Sequence, residues 1–299
     1  MAELRFEGKV LVGVDGSQQN QAAVAWAIAE AKARDTELVA AYAWHMPALV
    51  YYAPGYLPIA ADEMAEEGRK FLERTVGERA TGAGVKAESR VIEASAHSAL
   101  SHIADEPDIA TVVVGTRGHG AAVGALLGSV TNTLVHHCPK PLVIVHSPEA
   151  PVEAAPIRRV VVGVDGSRQA DTALRWASDE AKLHGATLEV VTAWSWITTP
   201  ADMVLDVPVG ESLEVAAREI LADAVGKLGP LGVEVKSTVR EGPAAEVLLA
   251  AAEGADLLVV GSRGRGRAAE LLLGSTSHLC AHRSRVPVAI IPAETEGHG

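Results

Sequence analysis

The chain has 299 residues, enough for two domains of about 150 each. Hydrophobic residues make up 48% and aromatics only 4%, so its cores must be built from Val, Leu, Ile and Ala, as suits a parallel sheet under helices. The formal net charge of −12 repels nucleic acid and anionic lipid and excludes both as general partners. No apolar run approaches the roughly 20 residues that span a bilayer, and the 2 cysteines cannot form a disulfide framework. Met1-Ala-Glu-Leu-Arg-Phe-Glu runs straight into a strand without a targeting pattern, so a cytoplasmic location is expected.

In chain order, Val10-Leu-Val-Gly-Val-Asp15-Gly-Ser17 reads as a buried strand ending in Asp, with Ser17 placed to cap a helix. Val161-Val-Gly-Val-Asp165-Gly-Ser167 repeats it in the second half. The following helices match: Ala23, Trp26, Ala27 and Ala31 share one face, and Ala173, Trp176, Ala177 and Ala181 answer them. Second strands are expected at Glu37 to Trp44 and Thr187 to Trp194. Irregular segments follow, His45 to Asp62 and Ser195 to Gly210, long enough to read as covers over a site. Amphipathic helices are then expected at about Glu63 to Ala80 and Glu211 to Leu228. Third strands fall at Val85 to Ile92 and Val233 to Arg240, third helices at about Ala96 to Ala104 and Ala244 to Ala252. Each half closes on a short strand after proline, Pro141 to Val145 and Pro287 to Ile291.

Fourth strands at Thr111 to Val114 and Leu257 to Val260 lead into two glycine stretches. The first reads Gly115-Thr-Arg-Gly118-His-Gly, then seven residues to Gly128-Ser129-Val130-Thr131. The second reads Gly261-Ser-Arg-Gly264-Arg-Gly, again seven residues to Gly274-Ser275-Thr276-Ser277. Glycine at a strand exit lets main-chain N–H groups approach a ligand, and a Gly-Ser pair opening a helix presents unpaired donors to an anion. A tight turn alone would not require the second glycine at a fixed distance, so the recurrence points to a polyphosphate. Ser129 and Ser275 stand where a P-loop needs Lys, and no third glycine completes a dinucleotide fingerprint.

The order β-α-β-α-β-α-β-α-β therefore occurs twice. With right-handed crossovers it predicts an α/β fold of two tandem, doubly wound, five-stranded parallel sheets of Rossmann-like type. The first domain covers residues 1–147, a Pro/Ala/Glu linker 148–157, and the second domain 158–294. Ligands of such sheets sit beyond the carboxyl ends of the strands where the order reverses, which is where Asp15 with Gly115, and Asp165 with Gly261, converge.

Both halves carry G-x2-G-x9-G-S/T without a gap, beside a strand-end Asp, and over nearly its whole length the chain resembles the universal stress protein family in its tandem form. The resemblance implies a fold like that of the adenine nucleotide alpha hydrolases, ATP as ligand, and a regulatory or stress-response role with little or no hydrolysis and no catalytic residues. It implies that Asp15, Ala43, Val114 and Gly115 line the adenosine, while Gly118, Gly128, Ser129, Val130 and Thr131 hold the phosphates. Asp165, Ala193, Val260, Gly261, Gly264, Gly274, Ser275, Thr276 and Ser277 take the same roles in the second half. Asp15 and Asp165 stay open as magnesium ligands, ribose acceptors or helix caps. One departure is Glu93-Ala-Ser95, where the second half has Glu241-Gly-Pro243.

Other readings rank lower. His136-His137-Cys138 resembles a metal cluster, but consecutive helical residues diverge by about 100°. An adenylating amidotransferase would carry a pyrophosphate loop unlike Val14-Asp-Gly-Ser17. A slow ATPase and a ligand-free dimerising scaffold are the remaining alternatives. Because a bare sheet edge invites pairing, the two halves are expected to form an intramolecular pseudo-dimer through their last strands, with a homodimer of the whole chain also open. Arg263, Arg265 and Arg267 against Arg117 and His119 give the second loop more positive charge, and it is expected to hold triphosphate more firmly.

Overall fold

The computed structural model describes residues 8–45, 61–116, 127–146, 154–195, 209–264 and 273–293. The chain divides into two compact units, Met1–Ala154 and Ala155–Gly299. Most of the two expected covers and of the linker lies outside the described residues.

The first unit runs β1 (Lys9–Gly13), α1 (Asn20–Ala33), β2 (Leu38–Trp44), α2 (Ala61–Leu72), a π turn (Glu73–Gly77), α3 (Glu78–Gly82), β3 (Ala87–Glu93), α4 (Ala96–Ala104), β4 (Ile109–Gly115), α5 (Ser129–His137) and β5 (Leu142–Val145). Its strands lie in the order β3-β2-β1-β4-β5, and every pairing is parallel. The second unit runs β6 (Arg159–Gly163), α6 (Arg168–His184), β7 (Thr187–Trp194), α7 (Val209–Gly226), β8 (Val235–Glu241), α8 (Ala244–Ala251), β9 (Leu257–Gly261), α9 (Ser275–Arg283) and β10 (Val288–Ile291). Within it the order is β8-β7-β6-β9-β10, again with parallel pairings only. Both units are thus the doubly wound α/β fold expected, with the order reversing between β1 and β4 and between β6 and β9.

The central strands are covered on both faces, which is why they read as unbroken apolar runs. Val10, Leu11, Val12, Val112 and Val113 are fully buried, as are Val160, Val161, Val162 and Leu257 to Val259. The expected helix faces are buried too: Ala23, Ala27 and Ala31 in α1, and Ala173, Trp176, Ala177 and Ala181 in α6, show no exposure. Leu100 of α4 sits where a Cβ on Gly13 would be, and Leu248 of α8 does the same at Gly163. The departure before α4 changes little: Ser95 and Pro243 are both extended N-caps, although Gly242 takes φ +139° and the first unit has alanine there.

One expected helix is interrupted. The stretch from Glu63 to Ala80 contains the π turn, and the cause is the spacing of its apolar residues. Leu72, Val76 and Ala80 are buried at intervals of four. In a regular α-helix each such step drifts by about 40°. A wider π turn keeps all three facing the sheet.

Charged groups gather at the amino ends of the strands, away from the expected site. Lys9 pairs with Asp108 at 3.0 Å and with Glu37 and Glu88 at 3.5 Å, while Arg90 meets Glu106 at 2.6 Å. In the second unit Arg159 pairs with Glu189 at 2.9 Å, and Asp256 accepts from the Arg158 and Arg159 main chain at 2.8 and 2.9 Å. Among the described residues no helix is long and apolar enough to cross a membrane.

Candidate functional site

Parallel register sets each strand-end Asp beside the end of the neighbouring strands. Gly13 pairs with Ala41 and Val12 with Val113, so continuing along β1 sets Asp15 level with Ala43 on one side and Thr116 on the other. The Val14 N–H donating to the Ala41 carbonyl at 2.8 Å keeps that register beyond the strand. Val114 and Gly115 end β4, opposite Ile144 and Val145. In the second unit Gly163 pairs with Val191 and Val162 with Val259, which sets Asp165 level with Ala193 and Ser262. Val260 and Gly261 end β9 opposite Ile290 and Ile291.

Each Asp is built into a tight turn. The Ser17 N–H donates to Asp15 Oδ1, and the Ser167 N–H to Asp165 Oδ1, both at 2.9 Å. Between them Gly16 and Gly166 take φ of +79° and +76°, where a side chain would strain the turn. Each serine then accepts from the N–H three residues on, Asn20 and Ala170, at 3.2 Å. Ser167 is the N-cap of α6, as expected of that position. In the first unit α1 starts at Asn20 with Gln19 at its cap, so Ser17 stands one turn earlier and reaches forward.

The glycine stretches close on the strand ends through paired bonds. The Gly128 N–H donates to Thr116 O at 2.7 Å, and Gly274 N–H to Ser262 O at 2.8 Å. The Thr131 hydroxyl donates to Gly115 O at 2.7 Å, and the Ser277 hydroxyl to Gly261 O at 2.6 Å. Together these fix the first turns of α5 and α9 against the carboxyl ends of β4 and β9. Gly128 and Gly274 are N-caps without a side-chain capping bond. The first intrahelical donors are Asn132 to Gly128 O and His278 to Gly274 O. The N–H groups of Ser129, Val130 and Thr131, and of Ser275, Thr276 and Ser277, therefore precede the helical ladder and carry the positive end of the helix dipole. Ser129 and Ser275 are exposed, whereas Thr131 and Ser277 are buried. The hydroxyls of Thr131 and Ser277 thus donate inward, and what these residues offer an anion is the main chain.

In the second unit the strand-end Asp touches the glycine stretch directly. A Cβ on Gly264 would overlap Asp165 Oδ2. Gly261 is equally constrained, since a Cβ there would lie 3.1 Å from the carbonyl oxygens of Arg263 and Gln169. Arg263 between them has its Nε sealed from solvent with no partner among the described residues. Gly118, Arg117, His119, Arg265 and Arg267 lie outside the described residues. Sequence reasoning found the glycines but missed Asn20, the Asp165–Gly264 contact and the inward hydroxyls. The only local signal for Asn20 is its place three residues after Ser17, the spacing at which a capping serine receives an N–H.

The adjacent His136, His137 and Cys138 diverge, as helical neighbours must. The His136 and His137 rings are 6.2 Å apart and tilted by 54°, and His137 Nδ1 lies 3.0 Å from Thr133 O. Burial pushes the Cys138 thiol up to about 11 and the Cys280 thiol up to about 12. A thiol reacts as its thiolate, so both should resist Ellman's reagent at pH 8 in the folded chain and react promptly in denaturant. Rapid native-state labelling of either would refute this.

Known proteins resemble the chain over nearly its whole length. The sequence pattern of the Universal stress protein family matches twice, over residues 8–146 and 156–292. A universal stress protein of Mycobacterium tuberculosis is 31% identical over 295 residues, covering 97% of this chain and 99% of that one. One from Mycolicibacterium smegmatis is 29% identical over 300 residues, with 97% and 99% covered. A crystal structure of a universal stress protein from Archaeoglobus fulgidus superposes with a TM-score of 0.68 at 23% identity, covering 97% of this chain and 98% of that one, and so shares the fold.

Proposed function

The chain belongs to the universal stress protein family in its tandem two-domain form, and from that premise we propose that each unit binds one ATP at the carboxyl end of its strands. The single observation that carries this is the uncapped first turn of α5 and of α9, tied by two bonds to a strand end that stands level with an Asp. Phosphates belong against those N–H groups and the glycines Gly118, Gly128, Gly264 and Gly274. The adenosine belongs along the row of Asp15, Ala43, Val114 and Gly115, and of Asp165, Ala193, Val260 and Gly261. Backbone donors that need no rearrangement make a ready anion site.

Magnesium fits as a companion of the phosphates. It binds through one or two carboxylates plus phosphate oxygens and keeps several waters. With Asp15 and Asp165 in the adenosine row, their Oδ1 atoms already accepting from a main-chain N–H, the ion would be held mainly by phosphate oxygens and water. The metal would supply charge neutralisation of the polyphosphate.

The role we assign is nucleotide-dependent regulation rather than turnover. In-line hydrolysis requires a positioned base or water-orienting group besides the metal carboxylate. Calorimetry with ATP and magnesium should return two nucleotides per chain, and turnover should stay below about one per second, the lower end of the ordinary enzyme range. A stoichiometry of zero or one, or turnover above that limit, would refute the proposal. With the arginines of the second loop, that site should hold ATP about two-fold to thirty-fold more firmly at low salt, a margin that shrinks as salt screens exposed charge. Equal affinities at low salt would contradict it.

A further inference from the structure

Asn20 is polar, yet only 4% exposed. Burying an amide is costly unless its donors and acceptor are met. Its Nδ2 donates to Gly13 O at 2.8 Å, and its Oδ1 accepts from the Asp15 N–H at 3.4 Å. Its own N–H donates to Ser17 Oγ, and the Ser17 N–H donates to Asp15 Oδ1. These four bonds form a closed circuit that holds both the main chain and the carboxylate of Asp15. An ordinary capping side chain serves the N–H groups of its own helix. The Asn20 amide instead spans the strand exit and engages Gly13 and Asp15.

The second unit keeps half of this circuit. Ser167 N–H to Asp165 Oδ1 and Ala170 N–H to Ser167 Oγ recur at the same 2.9 and 3.2 Å. The residue in the place of Asn20 is Ala170, which is equally buried at 4% exposure but has no amide. The two side-chain bonds across the strand exit therefore cannot form there.

Resting on the nucleotide reading above, we infer that Asn20 is a positioning residue that orients Asp15 as an acceptor for the ribose hydroxyls, so that the first unit discriminates ribonucleotides more sharply than the second. Register sets Asp15 level with Ala43, in the row assigned above to the adenosine and apart from the first turn of α5 assigned to the phosphates. A carboxylate accepting from two ribose hydroxyls is directional and loses strength when its turn can swing.

The full-length chain carrying Gly274→Val leaves the first site alone for titration with ATP and with 2′,3′-dideoxy-ATP. Adding Asn20→Ala should weaken ATP about ten-fold and the dideoxy nucleotide by less than about two-fold, because loosening the turn weakens both hydroxyl bonds by together about the worth of one hydrogen bond to a charged group. Equal losses for both nucleotides would show a merely structural residue, and no loss for either would equally overturn the inference. Where Asn20→Ala fails to fold, Ala170→Asn in a Gly128→Val chain decides: the preference for ATP over the dideoxy nucleotide should rise at the second site, and an unchanged preference overturns the inference. A wild-type chain that binds neither nucleotide would instead refute the nucleotide site itself.

Discussion

Gly128→Val and Gly274→Val together should abolish ATP binding in a chain that still folds, and each alone should lower the stoichiometry from two to one. Both glycines have ordinary extended backbone, φ −70° and −76°, which valine also adopts. A Cβ on Gly274 would lie 3.5 Å from Arg263 Cα and Ser262 O and 3.7 Å from Ser277 Oγ, which is normal contact. Gly274 therefore has room for a Cβ, and valine at either position is expected to fold while its methyls obstruct the approach to the first-turn N–H groups. Losing two hydrogen bonds to a charged phosphate weakens binding by about 3–6 kcal/mol, or roughly a hundred-fold or more. Gly264→Ala should reach the second site differently. Its Cβ meets the end of a short flexible side chain, so Asp165 swings aside while the fold holds. Unchanged calorimetric titrations in the double variant would contradict the placement of the phosphates.

Thr131→Val and Ser277→Ala should each lower stability while Thr131→Ser stays near wild type. The hydroxyls are buried and their bonds to Gly115 O and Gly261 O tie helix to strand. Removing a buried donor leaves a carbonyl short of a partner and costs about 1–3 kcal/mol. For a domain of this size each kcal/mol lowers Tm by about 2–4 °C. Thermal melts by circular dichroism would show it, and melting unchanged in Thr131→Val would mean that the tie contributes nothing. ATP binding in Thr131→Ser should be intact, because the main-chain donor is kept.

The repeated fold was legible because every signal it needs is local. Strand runs such as Val10 to Val12, the glycine punctuation and the Ala–Trp face of α1 and α6 each announce themselves within a short window. The glycine spacing even fixed where α5 and α9 begin. What stayed hidden depends on neighbours distant in sequence. Nothing near Gly264 says that Asp165 lies against it, and nothing near Thr131 says that its hydroxyl turns toward Gly115 rather than toward a ligand. The π turn escaped because a four-residue spacing of apolar positions reads as an ordinary helix until the drift of its face is worked out. The two Asp turns are built alike at residues 15–17 and 165–167, yet the bonds across the strand exit depend on one side chain, Asn20 against Ala170.

The strand order also sets when this protein can become itself during synthesis. β1 lies in the middle of its sheet and pairs with β4, Lys9 facing Ile109, across a hundred residues of intervening chain. A nascent polypeptide cannot complete that pairing until nearly the whole unit has left the ribosome, and loop closure over such distances is slow. At about 5–20 residues per second, the first unit is finished while much of the second is still being made. The first strands of the two halves, Val10-Leu-Val-Gly and Val160-Val-Val-Gly, are near copies that could fill each other's slot. Vectorial emergence keeps them apart in time, so refolding from denaturant, where both are present at once, should be the less faithful route.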